Sequence, residues 1–182
     1  TGVQTCALPI CLLFGQWAKA RGYKAIGTVS SPAKAALAKK NGYKWVIDYS
    51  KQDVVAEVKK ITKGKGVPVV FDGVGKDTWA ASLDCLQPRG LMCSFGNASG
   101  AVPPQPVGIL NAKGSLYLTR PSLGAYTATR KDLEACAKSL FKMVKSGKVK
   151  IAIDQRYPLA EAAQAHRDLE SRKTTGQTVL VP

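Results

Sequence analysis

Short apolar runs alternate with longer stretches in which apolar residues recur at helical spacing. Lys24–Val29, Trp45–Asp48, Val67–Phe71, Gly90–Phe95 and Ser115–Thr119 have the length and composition of strands. Val67–Phe71 is almost wholly apolar, as a strand buried on both faces should be. Between them, Leu12–Ala20 places Leu13, Gln16, Trp17 and Ala20 on one helical face and stops at Gly22. Gly15 within that helix predicts close packing against a neighbour. Ser31-Pro32 starts a helix that stops at Asn41-Gly42, with Ser as cap and Pro in the first turn. Asp53–Thr62 is amphipathic and ends at Gly64, and Asp77–Leu86 forms another helix with Asp77 as its expected cap. From Lys24 to Thr119 this alternation predicts βαβ units on a parallel, doubly wound sheet. The tail reads as two helices, Lys131–Ser146 and Leu159–Ser171, then a strand, Gln177–Val181.

The chain has 182 residues, a formal net charge of +15 and 45% hydrophobic residues. That balance excludes disordered and fibrous classes. No apolar run nears the roughly 20 residues that span a bilayer. The five Cys include no CxxC pair. Their irregular spacing argues against a disulfide frame or zinc site, and Cys11, Cys85, Cys93 and Cys136 read as buried or neutral thiols. His166, the one His, sits mid-helix and reads as a surface or packing residue. No catalytic or metal-binding constellation emerges.

Residues 1–10 (TGVQTCALPI) carry no charge and share no periodicity with the helical stretch after them. They resemble the translation of a sequencing adapter. The expected organisation is therefore a non-native segment at 1–10, a partial cofactor domain at 11–124 and a C-terminal part at 125–182. On that reading the first strand of the sheet and its glycine-rich turn are absent.

A doubly wound sheet binds ligands at the carboxyl ends of its strands. At the end of the Lys24–Val29 strand, NAD-binding sheets carry an acid for the ribose 2′-hydroxyl, whereas NADP-binding ones carry a cation for the 2′-phosphate. Here Ser30, Ser31 and Lys34 come after Val29, and no acid appears until Asp48. Two hydroxyls and a cation suit a phosphate. The same residues equally suit a solvated helix start.

The run DGVGKDTWAASLDCLQPRGLMCSFGNASGAV (Asp72–Val102) resembles the NADPH:quinone oxidoreductases, the zeta-crystallin-like branch of the zinc-independent medium-chain dehydrogenases. GILNAKGSLYLTRPSL (Gly108–Leu123), LESRKTTGQTVLVP (Leu169–Pro182) and GQWAKARGYKAIGTVSS (Gly15–Ser31) agree. The resemblance implies a Rossmann domain forming the C-terminal half of a longer enzyme, with a tail returning to a GroES-like domain. It implies that Ser30 and Lys34 hold the NADPH 2′-phosphate and that Tyr49 lies against the adenosine. Val74 would line the nicotinamide ribose, and Phe95, Gly96 and Asn97 would pass beside the nicotinamide. Pro121 and Leu123 would close over it, and Arg172 would reach back to it.

Read alone, Tyr49 suits an ordinary surface tyrosine, Phe95 a packing residue and Arg172 a solvated helix-end cation. The implied reaction is hydride transfer from NADPH to a quinone or other electron-poor conjugated acceptor, with no indispensable side-chain acid or base. The alternatives are an NADPH-dependent alkenal or enoyl reductase and an RNA-binding zeta-crystallin-like protein. The lysines are spread without interleaved aromatics, which does not favour nucleic acid. The resemblance also implies a cytoplasmic homodimer paired through a Gly114–Thr119 edge strand. Lacking the glycine turn, the 182-residue chain itself is expected to bind NADPH weakly and to be inactive.

Overall fold

The computed structural model describes residues 2–5, 8–171, 174 and 176–182. The strands of the main sheet are β1 (Gly2–Thr5), β2 (Ala25–Val29), β3 (Trp45–Asp48), β4 (Val67–Asp72), β5 (Leu86–Ser94) and β6 (Tyr117–Thr119). They pair in the order β3-β2-β1-β4-β5-β6, and every pairing is parallel. The connecting helices are α1 (Leu8–Ala20), α2 (Pro32–Lys40), α3 (Val54–Ile61), α4 (Trp79–Asp84) and α5 (Gly108–Ala112).

The expected gap at the first strand is filled. Gly2–Thr5 lies at the centre of the sheet, with Val3 in register with Ile26 on one side and Val70 on the other. The physical reason is that β2 and β4 each present an unpaired backbone edge there. A short extended segment tethered to α1 satisfies both edges whatever its side chains.

Two packed layers cover the sheet. Alternate residues of β2 serve opposite faces: Ala25 and Val29 join Cys11, Ala18, Ala38 and Tyr43. Ile26 joins Ile47, Val58, Val70, Leu83 and Met92. The predicted close approach at Gly15 is present. A Cβ there would stand 2.5 Å from the Asn41 carbonyl oxygen and from the Tyr43 ring, so α1 and α2 meet through glycine. The Tyr43 hydroxyl donates to the Cys11 carbonyl at 2.9 Å, and burial pushes its pKa well above the usual phenol value.

Helix caps agree with the sequence at α2, where Ser31 Oγ accepts the Lys34 amide, and at α3, where Asp53 accepts the Ala56 amide. Asp77 does not cap α4. Its own amide is held by Ser99 Oγ at 3.0 Å, and the helix starts after Thr78.

The tail contains α6 (Leu123–Tyr126), α7 (Arg130–Lys145), β7 (Ile153–Pro158), a 3₁₀ turn (Leu159–Glu161), α8 (Ala162–Glu170) and β8 (Gln177–Val181). The expected single helix over 159–171 therefore opens with a tighter turn. β7 pairs in parallel with β8 in a separate two-stranded sheet. Gln16 stitches this tail to the main layer: its side chain accepts the Lys150 amide at 2.7 Å, and donates to the Lys150 carbonyl at 3.1 Å and to Asn41 Oδ1 at 2.8 Å.

Cys85 and Cys93 are buried free thiols, and burial pushes the Cys85 pKa up to about 12. Two expectations for the thiols are corrected. Cys136 is exposed, because it lies on the solvent side of α7. Cys11 is disulfide-bonded.

Candidate functional site

The predicted site residues converge on one edge of the sheet, because each comes just after the carboxyl end of a different parallel strand. Ser30 follows β2, Tyr49 follows β3, Val74 follows β4, Phe95, Gly96 and Asn97 follow β5, and Pro121 and Leu123 follow β6. Arg172 lies outside the described residues.

At the β2 end, Lys34 sits one turn into α2, and its Nζ donates to Ser30 Oγ at 3.3 Å. Both are half-buried, and no acid lies at this strand end. Tyr49 is 53% exposed beside them. Asp48 turns away into its own loop. Its Oδ1 accepts the Ser50 hydroxyl at 2.7 Å and the Ser50 amide at 3.1 Å. The Ser50 hydroxyl bond lowers its pKa most, and the Ser50 amide and the charge of Lys51 add to that effect.

The β4 end is organised by a residue to which sequence reasoning assigned no role. Asp72 is fully buried. Its Oδ1 accepts the amides of Val74 at 2.8 Å and Gly75 at 3.0 Å. Its Oδ2 accepts the hydroxyls of Thr78 at 2.8 Å and Ser82 at 2.7 Å. Its carbonyl oxygen takes the Phe95 amide at 2.8 Å. One side chain thus shapes the β4 loop and ties it to the β5 loop. The signal available in sequence was an acid ending an apolar strand directly before a glycine.

Arg120 was also missed. One of its terminal nitrogens, Nη1, reaches Ser94 Oγ at 3.1 Å, the Gly96 carbonyl at 3.2 Å and Asn97 Oδ1 at 3.1 Å. It braces the β5 loop from the β6 side. Gly96 lies against Gly73 so closely that a Cβ would overlap the Gly73 carbonyl. The backbones of the β4 and β5 loops therefore touch.

The fit to a dinucleotide is uneven along this edge. The Ser30–Lys34 pair has the charge and donors a phosphate monoester needs. The β1–α1 connection has no glycine between Gly2 and Gly15. Pro9, in the first turn of α1, has no amide proton to offer. A pyrophosphate cradle made of backbone amides is not present in this sequence. Among the described residues, no three His, Cys, Asp or Glu side chains converge as metal ligands. None of their helices is long and apolar enough to cross a membrane.

Six parallel strands in this order, with hydroxyl, amide and cationic groups at their carboxyl ends, define a dinucleotide-binding α/β domain. The chain belongs to the zinc-binding dehydrogenase family, whose model matches residues 41–180. It is 56% identical over 167 residues to a quinone oxidoreductase of Pseudomonas aeruginosa, covering 92% of this chain and 51% of the relative. It is 45% identical to a 2-haloacrylate reductase of Burkholderia, covering 91% of this chain and 50% of the relative. The structure of Escherichia coli quinone oxidoreductase complexed with NADPH superposes with a TM-score of 0.94 at 51% identity. That match covers all of this chain and 56% of the other. The chain thus spans about half the length of the relatives it matches.

Proposed function

We propose that this chain is the cofactor half of an NADPH-dependent quinone reductase. The observation that carries the reading is the Ser30–Lys34 pair at the end of β2, where an NAD-specific sheet would carry an acid. In this reading Ser30 and Lys34 hold the 2′-phosphate, and Tyr49 lies along the adenosine. Val74, Phe95, Gly96, Asn97, Pro121 and Leu123 shape the nicotinamide end, and Arg172 reaches back to it. Asp72 and Arg120 hold the two loops there in place. NADPH, when bound, supplies the hydride. The chain's own part is to orient the cofactor and keep its ring dry.

The complementary half would supply the rest of the acceptor pocket. Its expected seat is the tail, where Ile151, Ile153, Leu159, Leu169, Leu180 and Val181 are exposed. The exposed outer edge of β6, with Tyr117 62% accessible, supports pairing with a second copy. A cytoplasmic location belongs to the same reading. The likeness to a 2-haloacrylate reductase favours one second reading, reduction of an electron-poor alkene at the same cofactor edge.

The test separates the two ends of the cofactor. Adenosine 2′,5′-bisphosphate needs only the β2 end, so the chain should bind it about tenfold tighter than 5′-AMP, and Lys34→Ala should abolish the preference. NADPH should bind no tighter than the bisphosphate, because the pyrophosphate cradle is missing. Equal affinity for 5′-AMP and the bisphosphate would overturn the reading.

A further inference from the structure

The opposite, amino-terminal edge of the sheet carries a second concentration of charge. An open concavity of about 300 Å³ is lined by Lys19, Lys24, Lys39 and Lys44 together with Tyr23 and Tyr43. The topology builds it. Lys19 and Lys39 lie in the last turns of α1 and α2. Lys24 and Lys44 immediately precede β2 and β3, which begin beside those helix ends.

Helix ends account for only part of this charge. Each helix C-terminus carries the equivalent of about −0.5 charge, so two offset about one of the four ammonium groups. No carboxylate lines the concavity. Among the described residues the ion pairs are Lys60–Glu57, Lys113–Asp84, Arg130–Glu134 and Lys138–Glu134, and none includes these four lysines. Close to three positive charges therefore face one hollow uncompensated. Lys44 is also positioned, with its Nζ 4.7 Å from the centre of the Trp45 ring. That contact leaves its protons free to donate. Tyr23, 69% exposed, adds a hydroxyl. Such a site suits a compact, multiply charged oxyanion better than a single carboxylate, because several ammonium groups can be neutralised at once.

We propose that this concavity binds a small multivalent anion of the oligophosphate class, independently of the carboxyl-edge site. Tripolyphosphate is the probe. Calorimetric titration of the chain at low ionic strength should show one saturable site. Saturating the chain with adenosine 2′,5′-bisphosphate should leave that site available. Each exposed ion pair contributes about threefold, so the variant K19Q/K24Q/K39Q/K44Q should weaken binding about 80-fold. K59Q/K63Q/K145Q/K148Q, with the same charge change elsewhere, should alter it no more than about threefold.

Absence of saturable binding, displacement by the bisphosphate, or equal weakening in both variants would each overturn the proposal. Should the four-lysine variant not fold, Lys24→Glu and Lys44→Glu carry the same test singly. Each should weaken binding about tenfold, since each adds repulsion to the lost attraction.

Discussion

Replacing Asp72 by Ala should destabilise the domain by about 4 kcal/mol. The magnitude comes from the groups its side chain satisfies. Two backbone amides, at Val74 and Gly75, have their bonds to its Oδ1 at 2.8 and 3.0 Å. Alanine leaves both without that acceptor, and a buried orphaned donor costs about 1–3 kcal/mol. The two hydroxyls lose less, because hydroxyls rotate, and Thr78 already lies 3.3 Å from the Gly75 carbonyl. The sum is a large share of the roughly 5–15 kcal/mol that holds such a domain together. Asp72→Asn should cost about 1–2 kcal/mol. Its oxygen keeps the two amides without charge assistance, and its NH2 group faces Ser82, whose hydroxyl can turn to accept.

Urea denaturation followed by circular dichroism measures both values, and hydrogen exchange locates them. In Asp72→Asn the Val74 and Gly75 amides should exchange faster, while those in β2 stay protected. A loss below 1 kcal/mol for Asp72→Ala would refute the account of this carboxylate as the organiser of the β4 loop.

Gly96→Ala should destabilise by about 2–3 kcal/mol, measured the same way, because the added methyl overlaps the Gly73 carbonyl and two strand-end loops must separate. It should also weaken dinucleotide binding more than adenosine bisphosphate binding. Under native conditions a thiol reagent should modify Cys136 at once and reach Cys85 and Cys93 only after unfolding, a difference peptide mapping reads directly. The raised Cys85 pKa also sets a pH dependence. Folded, the thiol keeps its proton to about pH 12, whereas unfolded it ionises near 9.0. Its contribution is complete below pH 9.0 and falls away as pH rises toward 12, so denaturation midpoints should drop faster there than in Cys85→Ala.

The parallel sheet was legible because its interior strands are short apolar runs that only full burial explains. Trp45–Asp48 and Val67–Phe71 are the plainest, and the caps Ser31 and Asp53 marked the helices between them. The strand ends were legible too, since parallel topology sends every one of them to the same edge. β7 was not. Its residues are mostly exposed, so burial imposes no alternation, and the strand is set by pairing with β8, about twenty residues on. β1 was excluded for lack of periodicity, yet its place is fixed by two neighbouring strand edges rather than by its own side chains. Asp72 and Arg120 escaped because their roles rest on distant backbone groups. Arg120 reads as a surface cation until the fold brings Ser94 and Asn97 within 3.1 Å.

The Gln16 stitch bears on how the chain comes off the ribosome. Its partner Lys150 lies 134 residues further along. While the ribosome is still translating α7, the face of α1 that Gln16 occupies has no tail to hold. At about 5–20 residues per second, that stretch takes roughly 7–27 seconds to make. The sheet can form well before then, since each of its crossovers is short. The tail closes last. Stalled translation anywhere between α5 and Lys150 would leave a finished sheet with a bare flank, the kind of intermediate that chaperones recognise.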